Sequence, residues 1–271
     1  MIVSQVSVIC CVIGPKAWYN AAADRSSQRI RQFKEGFMDF GKAFTYMFDD
    51  PDWVRKLGIG VVVGLIATLL SPILIGLVPM LMILGYSLDV LRNVHNGREY
   101  PLPEWEDWGG FLARGFKLFV AFFVWLLPLI LVSIPLFIGA ALTDSQGGNG
   151  AATAFGVLFI ICASCLMMLW GLFVVLISPA IYIRLAVTDR LGATFEVGKI
   201  WALTRDNLGN VIIAILLTIV AAVIAAAVGS LGFIMLLIGA LVTIPAATLW
   251  QYLVQAHLYG QIGRTSITPV G

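Results

Sequence analysis

The chain has 271 residues, 60% of them hydrophobic and only 12% charged, with a mean hydropathy of +0.95. A soluble domain carries about 25% charged residues. So few charges cannot cover a 29.4 kDa globule, which excludes a soluble domain, a disordered chain and a disulfide scaffold. Seventeen Lys/Arg against fifteen Asp/Glu leave a net charge of +2, a balance with nothing to offer nucleic acid.

The N-terminal stretch, residues 1–37, fits neither a span nor a signal peptide. Its apolar run 1–13 is too short to cross a bilayer and no cationic region precedes it. It is expected to be a non-conforming extension or an over-called start, ahead of a membrane domain at 38–264 and a short tail at 265–271. Cys10-Cys11 lacks the flanking residues of a lipoprotein signal.

Residues 1–56 hold fourteen charges, after which charge disappears in blocks. None occurs in the 32 residues 57–88, the 26 of 118–143, the 39 of 145–183 or the 50 of 207–256. A helix crosses a bilayer in about 20 apolar residues. Barrel strands would alternate polar with apolar; these runs do not, so they are read as helices. The second and third runs are one span each, the third opening on a Gly-rich loop. The fourth is two spans, broken at Gly229-Ser230-Leu231-Gly232.

The first run is open to two readings. A single helix of this length would reach about 48 Å, well beyond a hydrocarbon core of about 30 Å. Ser71-Pro72 lies in its middle, and proline interrupts helices. The alternative is a hairpin of two helices, about 54–70 and 73–93. The distribution of basic residues decides between them. With the hairpin, all seventeen Lys/Arg fall on one side and none on the other; with one helix the split is eight against nine. The expected architecture is therefore an all-α polytopic bundle of six transmembrane helices in the cell membrane. Both termini, the 94–117 loop and the 184–206 loop are expected to be cytoplasmic.

Helix-start signals support these boundaries. Asp50-Pro51-Asp52-Trp53 reads as cap, proline, acid and interfacial tryptophan. The Pro-acid-Trp order recurs at Pro103-Glu104-Trp105-Glu106-Asp107-Trp108. Asp206-Asn207 offers a cap for the fifth span. Three similar amphipathic stretches precede spans one, three and five: 40–50, 108–117 and 195–207. Each is expected to be a short interfacial helix with its apolar face in lipid or against the bundle.

No ionisable residue lies in the middle of an expected span, which counts against proton-coupled transport, pumps and charged-ring channels. The polar groups there are Thr68, Ser133, Ser164, Ser178, Thr218, Thr243, Thr248, Gln251 and Gln255. Gln251 and Gln255, one turn apart with His257 close by, form a candidate polar pocket; interhelical hydrogen bonding is the plainer reading. Gly60-x-x-x-Gly64, Ala221/Ala225/Gly229 and Ala222/Ala226/Ser230 suit close helix packing, within the bundle or between subunits. Cys162-x-x-Cys165 lies in an apolar helix without companions for a metal site, so a packing role is expected. Two acidic clusters, Asp49/Asp50/Asp52 and Glu99/Glu104/Glu106/Asp107, could bind metal or serve as acid and base. Without His or Cys partners they are read as helix-start acids. No metal and no cofactor are expected.

The stretch from Met38 through Asp50-Pro51-Asp52-Trp53 to Gly60 resembles the start of a prokaryotic multi-pass membrane family known as domain of unknown function 4013. Gly85-Tyr86 followed by Arg92, and 102–109 with its Pro103-Glu104-Trp105-Glu106-Asp107-Trp108, match further parts of that pattern. The resemblance covers about 38–262. The stretch 195–207 is also similar to multi-pass families related to the membrane domain of glycerophosphodiester phosphodiesterase. The family resemblance implies topology and carries no activity.

Three functional readings follow. The favoured one is a non-enzymatic protein that organises or regulates other membrane components, with a membrane protein or a second copy of the chain as partner. Its candidate cytoplasmic docking surface is Trp53, Trp105, Trp108 and Trp201. The alternative is a transporter or lipid-handling protein for an apolar or zwitterionic substrate. A membrane enzyme would need the acidic clusters to converge in space. A chain beginning at Met38 is expected to insert and fold as well as the full chain; expression level and thermal stability check this.

Overall fold

The computed structural model describes residues 40–144, 150–233 and 236–266. The chain divides into two units, Met1–Asp39 and Phe40–Gly271. The readings of the N-terminal extension and of the last residues of the tail lie outside the described residues. Among these, every regular element is helical: α1 Phe40–Thr45, α2 Trp53–Leu70, α3 Leu77–His95, α4 Trp108–Asp144, α5 Gly150–Thr188, α6 Val197–Asp206, α7 Leu208–Leu231 and α8 Leu236–Ser266. Short 3-10 turns follow α1 and α2 and precede α6.

Among the described residues, five helices (α2, α3, α4, α5 and α7) are long and apolar enough to cross a membrane. They are not the five of a single long first helix. The 57–88 run breaks where proline sits, in a 3-10 turn over Ser71–Ile73, and α3 returns along α2. The α7–α8 break falls at the expected glycines. The remaining helix, α8, has 31 residues and packs along α7, α3 and α2.

Three expected helix starts differ. The stretch 108–117 is no separate helix, because α4 runs unbroken from Trp108 to Asp144. The signal that starts it is Asp107, whose Oδ1 accepts from the Gly110 N–H at 2.9 Å and satisfies one of the free donors of the first turn. At α7 the expected cap is absent: the Asn207 amide instead donates back to the Leu203 carbonyl at 3.0 Å. Asp50 does not cap α2 either; its carboxylate accepts from the Asp52 N–H and from Lys56.

Helices in lipid gain little by hiding apolar surface from equally apolar tails, so close packing must hold them together. Glycine supplies it here. A Cβ on Gly85 would overlap the Phe111 carbonyl, and one on Gly115 would overlap the Leu81 carbonyl. The backbones of α3 and α4 therefore touch over one full turn. Gly64 meets Pro245 of α8, where a Cβ would sit 3.0 Å from the proline ring. Gly60 meets Leu249 one turn away, so the Gly60/Gly64 pair packs within the bundle. So does Gly229, whose carbonyl accepts from Thr243 Oγ1 at 3.2 Å. Thr68 and Ser133 bond instead to carbonyls of their own helices, three or four residues back. Ser178 and Thr218 do so too, and both also bond to Tyr259 of α8, an interhelical link of the expected kind. Cys162 and Cys165 are exposed on α5, so they do not serve the packing role expected of them.

Gly85→Ala should destabilise the fold by about 3 kcal/mol, an overpacking cost with backbone on the receiving side. Gly58, with nothing within 4 Å of a Cβ, is the control, and Gly58→Ala should be neutral or slightly stabilising. Thermal unfolding of both variants in detergent measures the difference.

Candidate functional site

Apart from Asp144 at the far end of α4, the charged residues of the described helices gather at one end of the bundle, and the loop before α4 organises them. Pro101 and Leu102 are buried, and α2 and α3 hold residues 101–105 through backbone carbonyls. Asn93 Nδ2 donates to the Pro101 carbonyl at 2.8 Å, Lys56 Nζ to that of Leu102 at 3.1 Å and Tyr86 Oη to that of Pro103 at 3.1 Å. The Trp105 ring then stacks on Tyr86, centroids 4.2 Å apart and planes 6° from parallel, while its Nε1 donates to the Lys56 carbonyl at 2.8 Å.

The two acidic clusters meet here through three of their members, Asp50, Asp52 and Glu104. Lys56 Nζ lies 2.7 Å from Asp50 and 3.3 Å from Glu104, and Arg55 reaches Glu104 at 2.6 Å and Asp52 at 3.8 Å. Both Lys56 and Asp50 are buried, so each is compensated only by the other members of the group. The carboxylates are thus engaged by cations and tie α2 to the 101–107 loop. Only Asp107 performs the capping role read from sequence. The Gly110 N–H and Arg114 hold its carboxyl below the usual carboxylate range. Its contribution to stability is present at neutral pH and fades as pH falls through that lowered value.

A second set of ion pairs links α3, α4 and α5. Arg114 meets Asp89 at 2.7 Å and Asp107 at 3.1 Å, and Lys117 meets Asp189 at 2.9 Å. Arg92 Nε donates to the Ala186 carbonyl at 2.6 Å. Arg184 near the end of α5 and Lys199 of α6 both pair with Glu196, and with Lys199 as the largest influence they hold its carboxyl below the ordinary range. No group of three or more His, Cys, Asp or Glu that could hold a metal occurs among the described residues.

The four tryptophans read as a docking surface do not behave alike. Trp105 is 6% exposed. Its ring lies inside the protein between Tyr86 and Trp108, so it presents no face to a partner. Trp108 and Trp201 are 40% and 45% exposed. Trp53 is half-buried, edge-on to Phe48. Trp105 and Trp108, three residues apart, do not share a helical face, because Trp105 stands in the turn before α4 and Trp108 begins the helix.

The expected polar pocket also divides. Gln251 lines a groove of about 320 Å³ between α7 and α8, together with Ala222, Ala226, Ser230 and Thr248. Gln255 faces Tyr182 and Tyr259. His257 is turned away from both, stacked on Tyr46 with centroids 4.3 Å apart. Tyr46 Oη donates to the Leu253 carbonyl at 3.1 Å, and Trp250 packs against Phe44. The first amphipathic stretch therefore seats against α8. Of the two residues that organise the charged end, the sequence shows Tyr86 only as part of a family pattern and assigns Lys56 no role. An apolar recess of about 440 Å³ lies between the α2–α3 turn and α8, lined by Gly64, Thr68, Leu77, Met80, Pro245 and Thr248 among others.

A family described as Protein of unknown function (DUF4013) matches residues 68–244, well over half of the chain. The chain belongs to this family. The match takes in Gly85-Tyr86, Arg92 and the 102–109 stretch, and begins after Asp50-Pro51-Asp52-Trp53. The family's shared segment thus contains the α3–α4 crossing and the loop that Tyr86 holds. No curated protein and no solved structure matches the chain.

Trp105→Ala should cost about 4 kcal/mol, as for a large buried aromatic. Trp108→Ala should cost less than about 1 kcal/mol, as for a surface position. Thermal unfolding of the two single variants checks the ranking.

Proposed function

We propose that this is a non-enzymatic multi-pass membrane protein that organises or regulates other membrane components through its cytoplasmic face. The observation that carries this reading is the pair of exposed indoles, Trp108 and Trp201, at the charged end of the bundle. Each stands beside ion pairs that hold its helix start in place. The orientation is proposed from charge: with three hairpins, α8 being the second arm of the last, all seventeen Lys/Arg lie on one side. Both termini, the 94–117 loop and the 184–206 loop are then cytoplasmic. The short helix α6 lies in the headgroup zone, with Ile200 and Thr204 buried against the bundle and Val197 and Trp201 outward. The absence of charge at mid-depth of the described helices disfavours ion-coupled transport.

A second reading, handling of an apolar or zwitterionic molecule, draws on the recess between the α2–α3 turn and α8.

A Trp108→Ala/Trp201→Ala variant should keep its thermal stability and lose a specific membrane-protein partner in a crosslinking comparison with wild type. An unchanged set of crosslinked partners would leave both indoles as headgroup anchors and move the second reading ahead.

A further inference from the structure

Helix α2 turns its glycines to α8, where Gly60 meets Leu249 and Gly64 meets Pro245. Its other face forms an apolar groove with α3. Val54, Gly58, Val62 and Ile66 of α2 and Val78 and Met82 of α3 wall it, and its volume is about 590 Å³. A Cβ on Gly58 would meet nothing within 4 Å. The groove shares no residue with the recess against α8. Small-molecule sites have volumes of about 300–1,000 Å³.

From Val54 to Ile66 the groove follows twelve residues of α2, about 18 Å at 1.5 Å per residue. One leaflet is half of a hydrocarbon core of about 30 Å. The groove therefore has the depth of one acyl chain. An unfilled space there would forfeit dispersion contacts along both walls.

The mouth has the opposite character. Arg55 and Trp108 close the groove at the charged end of the bundle. Arg55 meets Glu104 at 2.6 Å and Asp52 at 3.8 Å, both through Nη2, which leaves Nε and Nη1 for a further acceptor. Lys56 stands behind it with Asp50 and Glu104. Two cations against three carboxylates leave this group a net charge of −1. Asp52 is the least compensated of the three, being exposed and 3.8 Å from its cation. A headgroup bearing only negative charge meets that excess as repulsion. A headgroup bearing phosphate and ammonium matches both signs, and each contact is a charge-assisted hydrogen bond.

We propose that the α2–α3 groove binds one zwitterionic phospholipid with a primary ammonium, drawn from the leaflet at the charged end. One acyl chain lies along Gly58, the phosphate accepts from Arg55 and the ammonium donates to Asp52. The lipid is resident in the helix pair, and its binding depends neither on a protein partner at the tryptophans nor on which side the charged end faces.

The test uses the full chain purified in detergent. It is mixed with equal amounts of dioleoyl phosphatidylethanolamine, phosphatidylglycerol and phosphatidylcholine, and native mass spectrometry counts the lipid retained. One phosphatidylethanolamine per chain should remain, favoured about tenfold over each of the others, as one hydrogen bond to a charged group supplies. Phosphatidylcholine has the same net charge, but its ammonium carries no N–H to donate. Gly58→Leu extends into the groove and should abolish retention of all three lipids, with the lipid-free unfolding temperature unchanged. Asp52→Asn should still retain one lipid and lose the preference for phosphatidylethanolamine. Equal retention of the three lipids by wild type, or no retention, overturns the proposal. So does retention that survives Gly58→Leu or a preference that survives Asp52→Asn. In detergent the readout is the same whichever way the protein faces in the cell, so an inverted orientation or an absent protein partner is a separate failure.

Discussion

The crossing of α3 over α4 sets the register on which the rest of the bundle depends. Gly85 and Gly115 let the two backbones touch, and in a bilayer such contact is among the few sources of specific helix association. Once Gly85 lies against Phe111, the residues one turn along α3 have fixed neighbours. Asp89 then meets Arg114, and Tyr86 turns toward the loop that precedes α4. A helix slipped by one turn would strand Asp89 and Arg114, each only partly exposed, away from one another. The crossing and the ion pair therefore enforce the same register by independent means, one steric and one electrostatic.

From that crossing the charged end assembles outward. Tyr86 holds the Pro103 carbonyl and the face of Trp105; Trp105 in turn holds the Lys56 carbonyl. Lys56 gathers Asp50 and Glu104, so the start of α2, the end of α3 and the approach to α4 form a single unit. Tryptophan and tyrosine suit this position because each joins a large apolar ring to one donor that can seek a carbonyl. Lysine suits it because three donors let one side chain satisfy two carboxylates and a carbonyl together. Removing either carboxylate would leave a buried charge less well matched, which is costly where water is scarce.

Features that depend on chain-local physics were legible in the sequence. Proline and excess length exposed the break at Ser71-Pro72, and uninterrupted apolar runs exposed α4, α5 and α7. What escaped depends on which helix faces which. Gly85-Tyr86 stood out only as part of a family pattern, since no periodicity in α3 reveals that Phe111 lies opposite. Trp105 looked like an exposed loop residue because charged neighbours surround it, and its burial against Tyr86, nineteen residues away, is a tertiary fact. The stretch 108–117 reads as a separate interfacial helix, which starts where α4 does but does not end at Lys117, since the helix continues unbroken into the apolar run; Asp107 is the cap that begins it. His257 could have been separated from the glutamines in advance. At about 100° per residue, two positions beyond Gln255 place it on the far side of the helix.

Burial within the helices shows where the structural weight sits. In its most apolar window α3 is 61% buried, whereas those of α4 and α5 are 11% and 17% buried. Yet α3 is among the shortest and least apolar of the five long helices, with Asp89, Arg92 and Asn93 near its end. The two observations are connected. A helix enclosed by neighbours can carry polar groups, because those neighbours supply the partners that lipid cannot. A helix exposed to lipid must be apolar all round, as α4 and α5 are, and can be long because nothing but lipid limits its far end. In this bundle the two least apolar of the five long helices, α2 and α3, are therefore also the two most buried, and α3 lies nearest the centre.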